Sequence, residues 1–158
     1  MKKLVILLTS LFLFSCQQKE KTSIPVKTTE PNVVKEVKEE NTQNGDTIFM
    51  NSKNDKEVFE AEASLDSIHP RLYVKFKNEY DGELNGKIIP ETEKANIRFN
   101  QIIFPDKTSD GPFGSELKID VKQKGTYILV IGHSQMAENP YWGKFKIQLE
   151  TKKNANVQ

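Results

Sequence analysis

The sequence predicts an all-β protein: a single antiparallel β-sandwich or jelly roll of about eight strands that follows a disordered tether. Three observations carry this expectation. Apolar side chains recur every second residue in several short runs, polar turn clusters separate the runs, and aromatic residues are confined to one part of the chain. Alternation of period two places apolar side chains on one face and polar ones on the other, as a half-buried antiparallel strand requires. After residue 16, all twelve aromatics lie between Phe49 and Phe145. The domain is therefore placed at residues 46–151, roughly a hundred residues, enough for one modest core.

The strands follow in order. Residues 47–50 form a short apolar run. In 57–63 the alternation of Phe59, Ala61 and Ala63 favours a strand over a helix. Leu72, Val74 and Phe76 alternate with Arg71, Tyr73 and Lys75, and 83–89 is a weaker run of the same kind. Residues 97–104 and 127–131 are more continuously apolar and read as central strands. Leu117, Ile119 and Val121 alternate with Lys118, Asp120 and Lys122. Phe145, Ile147 and Leu149 alternate with Lys144, Lys146 and Gln148. Gly, Pro, Asn, Asp and Ser punctuate the chain at 51–55, 81–82, 90–95, 106–114, 124–125 and 132–143, as turns between strands demand. The strands at 125–132 and 143–149 are expected to pair across the long intervening loop.

The chain begins Met-Lys-Lys, followed by an apolar run from Leu4 to Phe14 and then Leu13-Phe14-Ser15-Cys16. The run is too short to span a bilayer and its charges lie on one side, so it reads as an export signal. This segment resembles the signal and cleavage box of bacterial lipoproteins. The resemblance implies removal of residues 1–15, a lipid on the Cys16 thiol, and an address in the bacterial cell envelope, with the outer membrane favoured. The chain has one cysteine, so no intramolecular disulfide is possible and the domain must rest on its core. Residues 16–45 hold no aromatic side chain but five lysines and five glutamates, a composition that cannot bury enough apolar surface to offset chain entropy. They are expected to be a disordered tether, and 152–158 a disordered tail.

The pattern Gly125-x-Tyr127-x-Leu129-x-Ile131, then a loop, then Phe145-x-Ile147-x-Leu149, resembles pre-peptidase C-terminal-type sandwiches. It is also similar to the periplasmic inhibitors of goose-type lysozyme. The likeness covers residues 118–149. It implies a sandwich fold and a protein-binding role, and it assigns no individual residues.

Residues 46–151 contain 14 Lys/Arg and 17 Asp/Glu, mixed along the chain, which gives no basic stripe for nucleic acid. His69 and His133 lack metal-binding spacing, and Gly114-Ser115 lacks a nucleophile-elbow context. The chain is read as a binding protein and not an enzyme, with no cofactor. Asp106 and Asp110, with Ser109, offer oxygens of the kind calcium takes, although the turn chemistry of Asp-Gly-Pro explains the same residues without a cation. The better candidate is the loop at 134–143, where Met136, Asn139, Tyr141 and Trp142 supply contact area with polar tips. The leading function is a lipid-anchored envelope module that recognises another protein, with lysozyme inhibition as its sharpest form. A carbohydrate- or envelope-binding accessory domain is the alternative, and a small hydrolase the second.

Overall fold

A computed structural model describes residues 40–154. Cys16, most of the tether and the last residues of the tail lie outside them. The described residues contain ten strands and no α-helix. In chain order they are β1 (Gln43–Asn44), β2 (Thr47–Met50), β3 (Val58–Leu65), β4 (Arg71–Asn78), β5 (Gly82–Pro90), β6 (Arg98–Ile103), β7 (Ser109–Asp110), β8 (Glu116–Val121), β9 (Gly125–Gly132) and β10 (Gly143–Lys153). β1 and β7 are two-residue ladders, so eight strands build the fold.

They form two sheets. Sheet A has the order β1-β2-β4-β9-β6-β7, and sheet B the order β3-β10-β5-β8. All pairings are antiparallel except β2 with β4, where Thr47 lies opposite Tyr73 and Met50 opposite Phe76. This pair departs from the expected all-antiparallel arrangement. Parallel neighbours need a crossover connection, and here β3 supplies it from the opposite sheet.

The last two long strands also differ from expectation. β9 and β10 do not pair. β9 sits between β4 and β6, and β10 sits between β3 and β5. Both are central strands with no free edge for each other. The connection at 133–142 is long because it carries the chain from one sheet to the other, across the roughly 10 Å that separates packed sheets; a hairpin closes in a few residues.

The alternation read from the sequence packs the core. Ile48 and Met50 of β2, Leu72, Val74 and Phe76 of β4, Tyr127, Leu129 and Ile131 of β9, and Phe99 and Ile102 of β6 face inward from sheet A. Phe59, Ala61, Ala63 and Leu65, then Leu84 and Ile88, Leu117 and Val121, and Phe145, Ile147 and Leu149 meet them from sheet B. Burial of this apolar surface is the main favourable term in folding.

One end of the sandwich is closed by aromatic side chains. Phe76 stacks on Tyr127 at 5.5 Å between ring centres, Phe104 meets Tyr127 edge-on at 5.8 Å, and Phe59 lies 6.3 Å from Phe76. The Tyr127 hydroxyl turns back along the chain. It donates to the Gln123 carbonyl at 2.9 Å and accepts from the Gln123 N–H at 3.2 Å. This tyrosine corner locks the turn before β9. Burial pushes the phenol up from its ordinary value, so it stays protonated.

The described strands and bonds include residues on both sides of 46–151. The Asn41 amide donates to the Ser52 and Glu60 carbonyls, and its oxygen accepts from the Asn51 and Ser52 N–H groups. At the other end, β10 continues past Thr151, with Lys152 opposite Glu83 and Lys153 opposite Gly82. Neither extension needs apolar side chains, only backbone pairing and the amides of Asn41 and Gln43, the latter bonded to the Ser64 backbone, so composition did not mark them.

Tyr127→Phe should lower unfolding free energy by about 1–3 kcal/mol, because both backbone groups of Gln123 lose a buried partner. Urea denaturation measures this. A change within error would mean that the corner contributes nothing.

Candidate functional site

The outer faces of the two sheets differ in charge. Sheet B carries interleaved acids and bases, with exposed pairs Lys118–Glu83 at 3.0 Å, Lys87–Glu116 at 3.1 Å and Lys152–Glu150 at 3.5 Å. Such pairs are worth little each, and the face reads as solvated polar surface. On sheet A, the outward positions of β2, β4, β6 and β9 hold Arg71, Lys75, Lys77 and Arg98 and no acid. The remaining outward positions are apolar or uncharged.

The register arranges this face in rows. In the top row, Arg71 of β4 and Arg98 of β6 both lie opposite Gly132 of β9. In the next, Tyr73 and Gln101 flank Val130, which is only 5% exposed although it points away from the core. The third row is Lys75, Ile128 and Ile103. A bulge between Phe99 and Gln101 admits Asn100. Its amide lies over Gly132, so that a Cβ there would stand 3.0 Å from Asn100 Nδ2. The Arg98 Nε donates to Asn100 Oδ1 at 2.9 Å. Glycine at 132 therefore makes room for the Asn100 amide, which with the Pro70 carbonyl takes the space a side chain at 132 would need. None of the ion pairs among the described residues includes either arginine.

Two loops wall this groove. In the first, Asp66 Oδ1 accepts from the Ile68 N–H at 2.8 Å, and His69 Nδ1 lies 3.2 Å from the same oxygen. The His69 backbone bond, foremost, holds the Asp66 carboxyl below its ordinary value. The turn holds Ile68 outward, 79% exposed. The second loop is residues 133–142. Asn96 staples it from outside: its Nδ2 donates to the Ser134 carbonyl at 3.2 Å and the Asn139 carbonyl at 3.4 Å, and its Oδ1 accepts from the Ser134 N–H at 2.9 Å.

The predicted loop residues have separate fates. Met136 is 96% exposed and lines the groove. Trp142 is 44% exposed, and its ring meets His133 edge-on at 5.7 Å. Asn139 takes a left-handed φ of 63° at the loop's far turn, a conformation asparagine tolerates. Tyr141 is 8% exposed. Its hydroxyl donates to the Lys144 carbonyl, and its ring covers Gly143, where a Cβ would come within 3.0 Å of the hydroxyl oxygen. Tyr141 is thus the loop's internal anchor and offers no surface to a partner; its packing against the following turn outweighs its place in a polar loop.

The two calcium candidates are apart in chemistry. Asp106 Oδ1 accepts from the Thr108 hydroxyl at 2.6 Å and N–H at 2.9 Å, and Oδ2 accepts from Gln123 Nε2 at 2.6 Å. These bonds, the Thr108 hydroxyl first, hold its carboxyl below the ordinary value. Asp110 lies at the groove's edge and takes the Gly111 N–H at 2.7 Å. Among the described residues no three His, Cys, Asp or Glu side chains converge for a metal ion. His69 and His133 both line the groove. His69 is tied to Asp66, and His133 Nδ1 is buried without a partner. No serine or threonine hydroxyl is hydrogen-bonded to either imidazole among the described residues, so no nucleophile–base pair is formed.

Sequence reasoning did not single out Arg71, Arg98, Tyr73 or Gly132. Their signal is a shared row across three strands, which only the pairing reveals.

The arrangement is that of an all-β sandwich with one open, cationic, loop-walled face. No protein-family model matches the chain, and no curated protein matches it. Solved structures of similar strand arrangement include two lysozyme inhibitors and a pre-peptidase C-terminal domain. A periplasmic inhibitor of g-type lysozyme from Aeromonas hydrophila is 9% identical over 67% of this chain and 96% of its own, with a TM-score of 0.49. The corresponding inhibitor from Salmonella Typhimurium is 12% identical over 69% and 100%, with a TM-score of 0.46. The pre-peptidase C-terminal domain of a Bacillus anthracis collagenase is 13% identical over 70% and 96%, with a TM-score of 0.43. At these identities the likeness is one of strand arrangement.

Two outcomes follow. Tyr141→Ala should cost about 3 kcal/mol or more, as truncated buried aromatics do, whereas Trp142→Ala should cost under about 1.5 kcal/mol. Equal losses in chemical denaturation would contradict the division between anchor and surface. The depressed carboxyls of Asp66 and Asp106 stabilise the fold fully above the ordinary carboxylate value, near pH 4, and lose that contribution as pH falls through their lower folded values. Asp106→Asn should therefore flatten the loss of stability on acidification below about pH 4; an unchanged acid limb would contradict the bonding described for Asp106.

Proposed function

We propose that this chain is a non-catalytic binding module of the bacterial cell envelope that recognises another protein through the groove of sheet A and the 133–142 loop. The observation that carries this reading is the pair of apolar tips on the groove walls. Ile68 and Met136 stand in solvent on two ordered loops, with no core to pack on, beside a recessed floor of arginine, amide and tyrosine groups. Apolar anchors around a polar, shaped centre suit a protein interface. A sugar-binding face has less support, since its outward aromatics on β2, β4, β6 and β9 are Phe49, covered by Lys75 at 5.3 Å, and Tyr73 alone.

In its sharper form, the partner is a lysozyme of the goose type, and the module is held at a membrane by lipid on Cys16. The support for both is sequence resemblance: the strand pattern of residues 118–149 for the first, and Leu13-Phe14-Ser15-Cys16 for the second. Residues 16–39 then hold the domain off the surface, with an end-to-end reach of roughly 30 Å if they form a flexible coil.

The test adds the full protein to goose-type lysozyme acting on peptidoglycan. Near-stoichiometric loss of hydrolysis is expected, relieved by Met136→Asp; undiminished hydrolysis at large excess would remove the lysozyme version. For the anchor, Cys16→Ser should abolish incorporation of a palmitate analogue and release the exported protein into the soluble fraction. Equal labelling of wild type and variant would sink it.

A further inference from the structure

We infer that the Arg71–Gly132–Arg98 row is a carboxylate-binding site, and that the segment it takes from a partner protein is an acidic side chain flanked by apolar ones. The inference rests on the protein-recognition reading above and names the chemistry of that partner.

The first ground is charge. The formal charge of residues 46–151 is slightly negative, yet the outward positions of the four longer strands of sheet A carry four cations and no acid. Two carboxylates, Asp46 and Asp110, line the same groove, and each accepts a local donor: the Thr47 hydroxyl at 2.9 Å and the Gly111 N–H at 2.7 Å. Neither arginine forms an ion pair among the described residues, and the strand face that carries them, with four cations and no acid at its outward positions, is complementary to an acidic ligand.

The second ground is geometry. Strands in a sheet lie about 4.8 Å apart, so the backbones of Arg71 and Arg98 are roughly 10 Å apart across β9. Gly132 puts no side chain of its own between them, and the Asn100 amide takes that place. Arg98 is oriented by its bond to Asn100, which leaves its terminal nitrogens to a ligand. A guanidinium fork matches a carboxylate in two parallel bonds, and fixing the fork beforehand lowers the ordering cost of binding.

The third ground is the wall. Ile68 and Met136 stand above the cationic floor, and Val130 is sunk within it. A polypeptide carrying an acid between apolar residues reaches the floor and both tips together. A flat anionic membrane meets the tips first and leaves Arg98, half-buried in the recess, out of reach.

The test uses the full chain with Cys16→Ser, so that no acyl group contributes, and poly-L-glutamate of about twenty residues as probe. Trp142, the only tryptophan, stands in the same loop as Met136 and reports binding through its emission. Saturable binding is expected, weakening as salt rises from about 50 to 200 mM. Arg98→Gln and Arg71→Gln should each reduce affinity about tenfold or more, while Lys118→Gln on sheet B leaves it unchanged; thermal midpoints confirm that the variants are folded. No binding, or an equal loss in Lys118→Gln, would overturn the site. So would phosphatidylglycerol vesicles that bind through the two arginines while poly-L-glutamate does not. If a partner protein still binds Arg71→Gln/Arg98→Gln with full affinity, the carboxylate site falls and protein recognition stands.

Discussion

The placement of β9 between β4 and β6 is the constraint on which the rest depends. A strand paired on both sides has no edge left for its successor, so the chain leaves β9 at Gly132 and crosses to sheet B before β10 begins. That crossing makes the 133–142 loop long, and it gathers at one end the features that mark the site. Gly132 ends β9 with an arginine on each side, His133 turns toward Trp142, and Met136 stands out over the groove.

β9 also divides labour along its length. At its start, Tyr127 is buried among Phe76, Phe104 and the backbone of Gln123, and closes the sandwich with aromatic packing and two hydrogen bonds. At its end, the close approach of the Asn100 amide and the Pro70 carbonyl needs a glycine at 132, and the apolar tips beside it are exposed. Loops held by a rigid scaffold are where recognition is usually found. Here the staples are Asn96 for the 133–142 loop and Asp66 for the loop that lifts Ile68. Both loops are therefore held by polar bonds, one within its own turn and the other to the segment before β6, which leaves their apolar tips free for a partner.

Much of the fold was legible in the sequence because burial on one face of a strand writes itself as alternation. Phe59, Ala61 and Ala63, then Leu72, Val74 and Phe76, and then Phe145, Ile147 and Leu149 all face the core as the pattern required. Pairing was not legible. Alternation says which residues point inward and not which strand lies alongside, so the parallel β2–β4 pair and the split of β9 from β10 were missed. The same gap hid the candidate site, since Arg71 and Arg98 are 27 positions apart and meet only across Gly132. Within the 134–143 loop, composition marked Tyr141 and Trp142 alike. The difference between them is the Lys144 carbonyl and the bare Cα of Gly143, which take Tyr141 inside.

The direct measurement is the distance between the two arginine positions. Nitroxide labels on Arg71→Cys and Arg98→Cys, in a chain carrying Cys16→Ser, report it by dipolar broadening of the electron paramagnetic resonance spectrum. With β9 between β4 and β6, the labelled backbones are two strand spacings apart, roughly 10 Å, and the spectrum is strongly broadened. An unbroadened spectrum, indicating labels more than about 20 Å apart, would show that β9 does not sit between these strands. The groove and its carboxylate site would fall with it.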